Sequence, residues 1–160
     1  MGGPALRLLL DTHIWLWCAL EPAHLSKRVR RAIEDQKNEL WLSPMSVWET
    51  LVLARKKRLT LYPSPGEWVR RALGELPIHE AHLNHEVAIR SETIRLGHDD
   101  PADWFLVATA LVHELTLVTA DRRLLKDRHV STLANLFRAS RDDLASSVRR
   151  VLPISRGAGT

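Results

Sequence analysis

Apolar positions along the chain change period several times, and each change predicts an element. Leu8-Leu9-Leu10 closes a run of apolar residues begun at Leu6, and the run stops on Asp11. Continuous apolar runs of this length suit strands buried on both faces of a parallel sheet. From His13 the pattern turns helical to Leu20, where Glu21-Pro22 ends it. Ser26 starts a second predicted helix to about Asn38, with Val29 and Ile33 four apart on one face. Leu40-Trp41-Leu42-Ser43 predicts a second strand. Pro44 then opens a long helix to about Arg58, whose Val47, Leu51 and Ala54 share a face that leaves Glu49 on another.

Farther on, Ser64-Pro65-Gly66-Glu67 is a capping box for a helix through Trp68, Val69 and Ala72 to Gly74. Leu76-Pro77-Ile78-His79 predicts a short strand, and a helix beginning near Asn84 puts Val87, Ser91 and Ile94 together. Gly97 to Asp100 forms a turn into a strongly apolar helix over 104–115, with Pro101 at its first position and Asp103 in its first turn. Leu115-Thr116-Leu117-Val118-Thr119 predicts a buried strand that leads to Asp121, followed by a helix from Arg122 to about Asp127. A last strand falls within 130–136. Ser140-Arg141-Asp142-Asp143 caps a predicted terminal helix to about Arg150, with a frayed tail after it. Strands alternating with helices imply an α/β fold with a largely parallel central sheet. Residues 1–160 read as one domain with its core over about 6–136.

Composition narrows the class. Hydrophobic residues at 45% and charged ones at 26% describe a globular chain rather than a disordered one. No apolar run is long enough to span a bilayer, and the N-terminus shows no signal peptide. A single cysteine, Cys18, rules out an intramolecular disulfide and fits a reducing cytoplasm. Between Trp17 and Ala19 it reads as a small buried hydrophobe rather than a reactive thiol. The net charge of +4 favours anionic partners mildly. With four of the 19 acids gathered in one site, 15 face 23 basic residues, a surplus of eight over the remaining surface. A positive body around an acidic pocket suits an enzyme acting on a polyanion.

The chemistry turns on four acids. Asp11 and Asp121 end strands, while Glu49 and Asp103 lie near helix starts. The carboxyl ends of parallel strands and the N-termini of the helices that follow share one edge of the sheet. Each acid alone is as readily a helix cap or a surface residue. Together on one edge they carry more negative charge than helix N-termini can offset, whereas a hard divalent cation can. All-oxygen ligation points to Mg²⁺, with Mn²⁺ able to substitute. Such a site activates water and stabilises the leaving oxygen of a phosphodiester.

The motifs are specific. Leu8-Leu9-Leu10-Asp11-Thr12-His13, Ser43-Pro44-Met45-Ser46-Val47-Trp48-Glu49, Asp100 to Ala110 and Leu117-Val118-Thr119-Ala120-Asp121 resemble, in order and spacing, the signature blocks of PIN-domain nucleases. More narrowly, the chain resembles the VapC ribonuclease toxins of toxin–antitoxin pairs. The resemblance implies a PIN-like α/β/α sandwich and Asp11, Glu49, Asp103 and Asp121 as a Mg²⁺-holding quartet. Thr12 and Thr119 are implied as neighbours that hydrogen-bond carboxylates or water. It further implies an RNA substrate, a homodimer and a VapB-type antitoxin covering the site.

Other features carry weaker expectations. Arg55-Lys56-Lys57-Arg58 serves equally as a solvated last helical turn and as an RNA phosphate contact. Trp48, Val52, Trp68 and Val69 suggest an antitoxin groove between two helices, with Trp68 partly exposed when the chain is alone. His79, His82 and His85 read as surface residues, because Pro77 breaks helical spacing and no cysteine or carboxylate completes a ligand pattern. A silent RNA-binding module of the same fold has no reason to keep four clustered acids. An aspartyl phosphotransferase using Asp11 wants an acid where His13 stands, and a receiver domain leaves Glu49 without a role.

Overall fold

The computed structural model describes residues 3–136, and the predicted helix over 140–150 with its tail lies outside them. Five strands, β1 (Arg7–Leu10), β2 (Glu39–Leu42), β3 (Ile78–Glu80), β4 (Thr116–Thr119) and β5 (Thr132–Ala134), form one sheet in the order β3-β2-β1-β4-β5. Every pairing is parallel. Helices α1 (Thr12–Leu20), α2 (Lys27–Glu34), α3 (Pro44–Arg55), α4 (Pro65–Glu75), α5 (His85–Ser91), α6 (Pro101–Val112) and α7 (Arg122–Leu125) connect them, with a single 3₁₀ turn at Pro22–His24.

The alternation of side chains along β1 divides the core in two. Leu8 and Leu10 face one layer with Ile14, Trp15 and Trp17 of α1, Val29 of α2 and Trp68 and Val69 of α4. Leu9 faces the other with Val87 of α5 and Leu106, Val107 and Ala110 of α6. All three leucines are fully buried, as a strand covered on both sides requires. This is an α/β/α sandwich around a five-stranded parallel sheet. Among the described residues no helix is long and apolar enough to cross a membrane.

The chain leaves β1 for β2 and β3 on one side, then returns to β4 and β5 on the other. The reversal lies between β1 and β4, whose carboxyl ends open the crevice in which α/β sheets bind ligands. Asp11 and Asp121 follow those two strands.

Three helices stop earlier than their patterns predict. Asp35 ends α2 by turning its side chain to the Lys37 N–H at 3.0 Å, a local bond that competes with the helix. α3 and α6 end in the same hydrogen-bonded motif. The N–H groups of Lys57 and Arg58 donate to the carbonyls of Ala54 and Leu53. Those of Glu114 and Leu115 donate to Leu111 and Ala110. Lys57 (φ 57°) and Glu114 (φ 55°) take the left-handed conformation that this ending needs. No glycine announces either stop, so apolar periodicity alone runs past it.

Candidate active site

Each acid of the quartet reaches the carboxyl edge of the sheet from a different element. Asp11 is the N-cap of α1, with its Oδ1 accepting from the Thr12 N–H at 2.7 Å. Asp121 is the N-cap of α7 and accepts from the Arg123 N–H at 2.8 Å. Capping and gathering at one edge are therefore the same placement for these two residues. Glu49 lies on α3, which Ser43 caps and Pro44 opens. Asp103 lies in the first turn of α6, capped by Asp100.

Hydrogen bonds tie Asp11 in place. The buried Thr119 hydroxyl donates to its Oδ2 at 2.6 Å and accepts from the Asp121 N–H at 3.0 Å. One side chain thus joins the ends of β1 and β4. Thr12, also buried, is hydrogen-bonded to the Ser46 hydroxyl of α3 at 3.0 Å. Of the two threonines, Thr119 bonds a carboxylate directly, while the hydroxyl of Thr12 bonds Ser46.

The carboxyls feel one another. Burial raises the proton affinity of Asp11 above the ordinary carboxylate range, and the charge of Asp121 adds to it, while the Thr119 hydroxyl opposes. Burial and then Asp11 push Glu49 up to about 7, with Asp103 and Asp100 contributing and a Thr12 hydrogen bond opposing. Asp103 is raised by burial, against a lowering hydrogen bond from His98, with Asp100, Asp11 and Asp121 raising it further. Asp121 alone is lowered: burial raises it most, but Arg123 more than offsets that. Four acids spread over 110 residues share one electrostatic neighbourhood, in which Asp11, Glu49 and Asp103 are disfavoured as anions.

Two side chains that the sequence did not single out, His98 and Arg123, border the site. His98 Nε2 lies 2.6 Å from Asp103 Oδ2, each side chain 15% exposed. Arg123 forks onto both Asp121 oxygens, Nη2 to Oδ2 at 2.9 Å and Nε to Oδ1 at 3.2 Å. Its Nη2 also stands 3.8 Å from Asp103 Oδ2. The only signal for Arg123 was its place two residues after a strand-end acid, and His98 had none. No three His, Cys, Asp or Glu side chains among the described residues form a ready cage for an ion. The donor set still fits a hard divalent cation, being all carboxylate oxygen with three of four acids destabilised in their charged form.

The remaining expectations divide. Arg55, Lys56, Lys57 and Arg58 are all exposed at the far end of α3. Trp48 is 56% exposed and Val52 is partly exposed on the outer side of that helix. Trp68, expected to be partly open, is only 3% exposed, and Val69 is buried as well. The Trp68 ring packs on Trp15 with centroids 5.8 Å apart. The apolar surplus read as a groove is absorbed by this pairing in the core, so Trp68 and Val69 leave the groove and Trp48 and Val52 remain. His79, His82 and His85 are exposed and separate: His79 lies on Trp41 at 4.9 Å, and His82 pairs with Glu80 at 2.6 Å. Cys18 is partly buried, and burial pushes its thiol up to about 12, as an inert hydrophobe requires.

The family model described as PIN domain matches residues 8–128. Ribonuclease VapC22 of Mycobacterium tuberculosis is 33% identical over 125 residues, covering 76% of this chain and 92% of that protein. Among solved structures, a DNA-bound VapBC of Salmonella typhimurium aligns with a TM-score of 0.59 at 18% identity, covering 81% of this chain and 98% of that one. VapBC2 of Rickettsia felis, bound to a promoter DNA fragment, aligns with a TM-score of 0.58 at 14% identity over the same shares. These two likenesses bear on the fold, and the family model and the relative bear on descent. The chain belongs to the PIN-domain family, within its VapC ribonuclease branch.

Proposed function

We propose that the chain is a divalent-metal-dependent endoribonuclease that hydrolyses RNA phosphodiester bonds. The observation that carries this reading is that Asp11, Glu49 and Asp103 lie within one another's or Asp121's field at the carboxyl edge of the sheet, all three raised by burial first and then by neighbouring carboxylates. A fold gains nothing from holding like charges together, whereas a cation site needs them.

Asp11, Glu49, Asp103 and Asp121 would hold the ion, Mg²⁺ in the cell with Mn²⁺ as a substitute. When bound, it supplies Lewis acidity toward water and neutralises charge on the phosphodiester. Thr119 and the Thr12 N–H fix Asp11 in direction and favour its charged form against the burial that disfavours it. One carboxylate of the quartet would orient or deprotonate the attacking water. Arg55, Lys56, Lys57 and Arg58 offer charge to neighbouring phosphates.

The same reading makes the chain the toxin of a toxin–antitoxin pair, acting in the cytoplasm as a homodimer. Its VapB-type antitoxin would cover the site and reach Trp48 and Val52 of α3. Solved relatives of this fold described as VapBC complexes support that partner. The test is cleavage of RNA by the purified chain. Activity lost to a chelator and restored by Mg²⁺ or Mn²⁺ supports the proposal, and cleavage that survives exhaustive chelation contradicts it.

A further inference from the structure

Arg123 stands apart from the other basic residues. Its guanidinium contacts two of the four candidate ligands, from the end of β4 to the first turn of α6, at 2.9 Å and 3.8 Å. The contact to Asp121 is a two-pronged fork onto both oxygens. Yet the side chain is 57% exposed, so it is accessible from solvent while it pairs with the acids. A simple cap-side ion pair accounts for the bond to Asp121. It does not account for the reach toward Asp103, whose Oδ2 is already held by His98.

We propose that Arg123 is an internal counter-ion for the acidic site, one that a divalent cation displaces and that then binds a non-bridging phosphate oxygen of the RNA strand. This inference rests on the nuclease reading above and deepens it. Oxygens that bind a divalent ion have less density to offer a guanidinium, so loading the site loosens the fork. The freed group carries five N–H donors in a plane that matches phosphate geometry. It is anchored two residues from Asp121, so its reach covers the strand next to the bond being cut. In the same arrangement Arg123 and His98 hold Asp121 and Asp103 toward themselves rather than toward a shared ion position.

The experiment compares the parent with Arg123→Gln and Arg123→Lys, each checked for folding by circular dichroism. Mn²⁺ binding is measured by calorimetry without RNA, and kcat and KM for RNA at saturating Mn²⁺. Removing the competing cation should tighten Mn²⁺ binding about two- to fivefold, the range an exposed ion pair carries. Losing the phosphate contact should raise KM about tenfold or more, with kcat changed less. Arg123→Lys keeps the charge without the fork, so its Mn²⁺ affinity should stay near the parent's while KM still rises. Unchanged Mn²⁺ affinity or unchanged KM in Arg123→Gln, with a parent that binds Mn²⁺ and cuts RNA, overturns this inference and leaves the nuclease reading standing. A parent that does neither overturns both.

Discussion

The Thr119 hydroxyl donates to Asp11 Oδ2 at 2.6 Å and accepts from the Asp121 N–H at 3.0 Å. It therefore fixes the spacing of the two strand-end acids across the β1/β4 crevice. Thr119→Val keeps the shape and removes the link. Groups that hold a ligand from behind cost about 10–100-fold in metal affinity when lost. Thr119→Val should weaken Mn²⁺ binding by that amount, read by calorimetry. An affinity equal to the parent's would show that Asp11 needs no such support.

The stability of the metal-free protein should fall as pH rises through neutrality. Glu49 releases its proton near 4.5 when unfolded and near 7 when folded. Between those values the folded chain holds a proton that the unfolded chain has lost. The stabilisation is therefore complete below about pH 4.5 and gone above about pH 7. Asp11 and Asp103, also raised, act in the same sense, whereas Asp121 is lowered and contributes stability lost only toward acid. Thermal midpoints measured with chelator should drop from pH 5 to pH 8, less steeply in Glu49→Gln. Added Mg²⁺ should restore the midpoint at pH 8. A midpoint that rises over this range would contradict the shared acidic site.

Asp11→Asn should abolish cleavage while leaving the fold intact, since Asn caps a helix as well as Asp does. Without metal it relieves repulsion among the acids. A gain of about 1 kcal/mol would raise the metal-free midpoint by about 2–4 °C in a chain of this size. A fall of that size would mean that Asp11 is held for stability instead.

The two exposed-groove tryptophans of the sequence reading now have opposite roles. Trp68→Ala empties a core site against Trp15 and should cost about 3–5 kcal/mol, read by urea unfolding. Trp48→Ala removes a surface ring and should change stability by no more than about 0.5 kcal/mol. If Trp48 anchors the antitoxin, its loss should weaken that complex by more than about 1 kcal/mol. Equal binding by parent and variant would take Trp48 out of the interface.

The sheet was legible where its strands are short apolar runs stopped by a polar residue, which β3, Ile78-His79-Glu80, is not. Leu8-Leu9-Leu10 before Asp11 and Leu117-Val118-Thr119 before Asp121 show the core and the site edge together. Glu49 and Asp103 could be placed because Pro44 and Pro101 mark where their helices begin. Contacts that depend on side-chain direction were not legible. His98 reaches Asp103 across a turn, Arg123 folds back on its own cap, and Trp68 turns inward to Trp15. None of the three leaves a period in the sequence. The early ends of α3 and α6 were hidden for a related reason, since Lys57 and Glu114 adopt a conformation usually marked by glycine.

The central claim is that four acids far apart in the chain form one cation site. An anomalous difference map from an Mn²⁺-soaked crystal tests it most directly. The account predicts a peak at the carboxyl ends of β1 and β4, ligated by Asp11 and at least two of Glu49, Asp103 and Asp121, and absent in crystals of Asp11→Asn. A peak bound elsewhere, or a crevice without one at Mn²⁺ concentrations that support RNA cleavage, would contradict it.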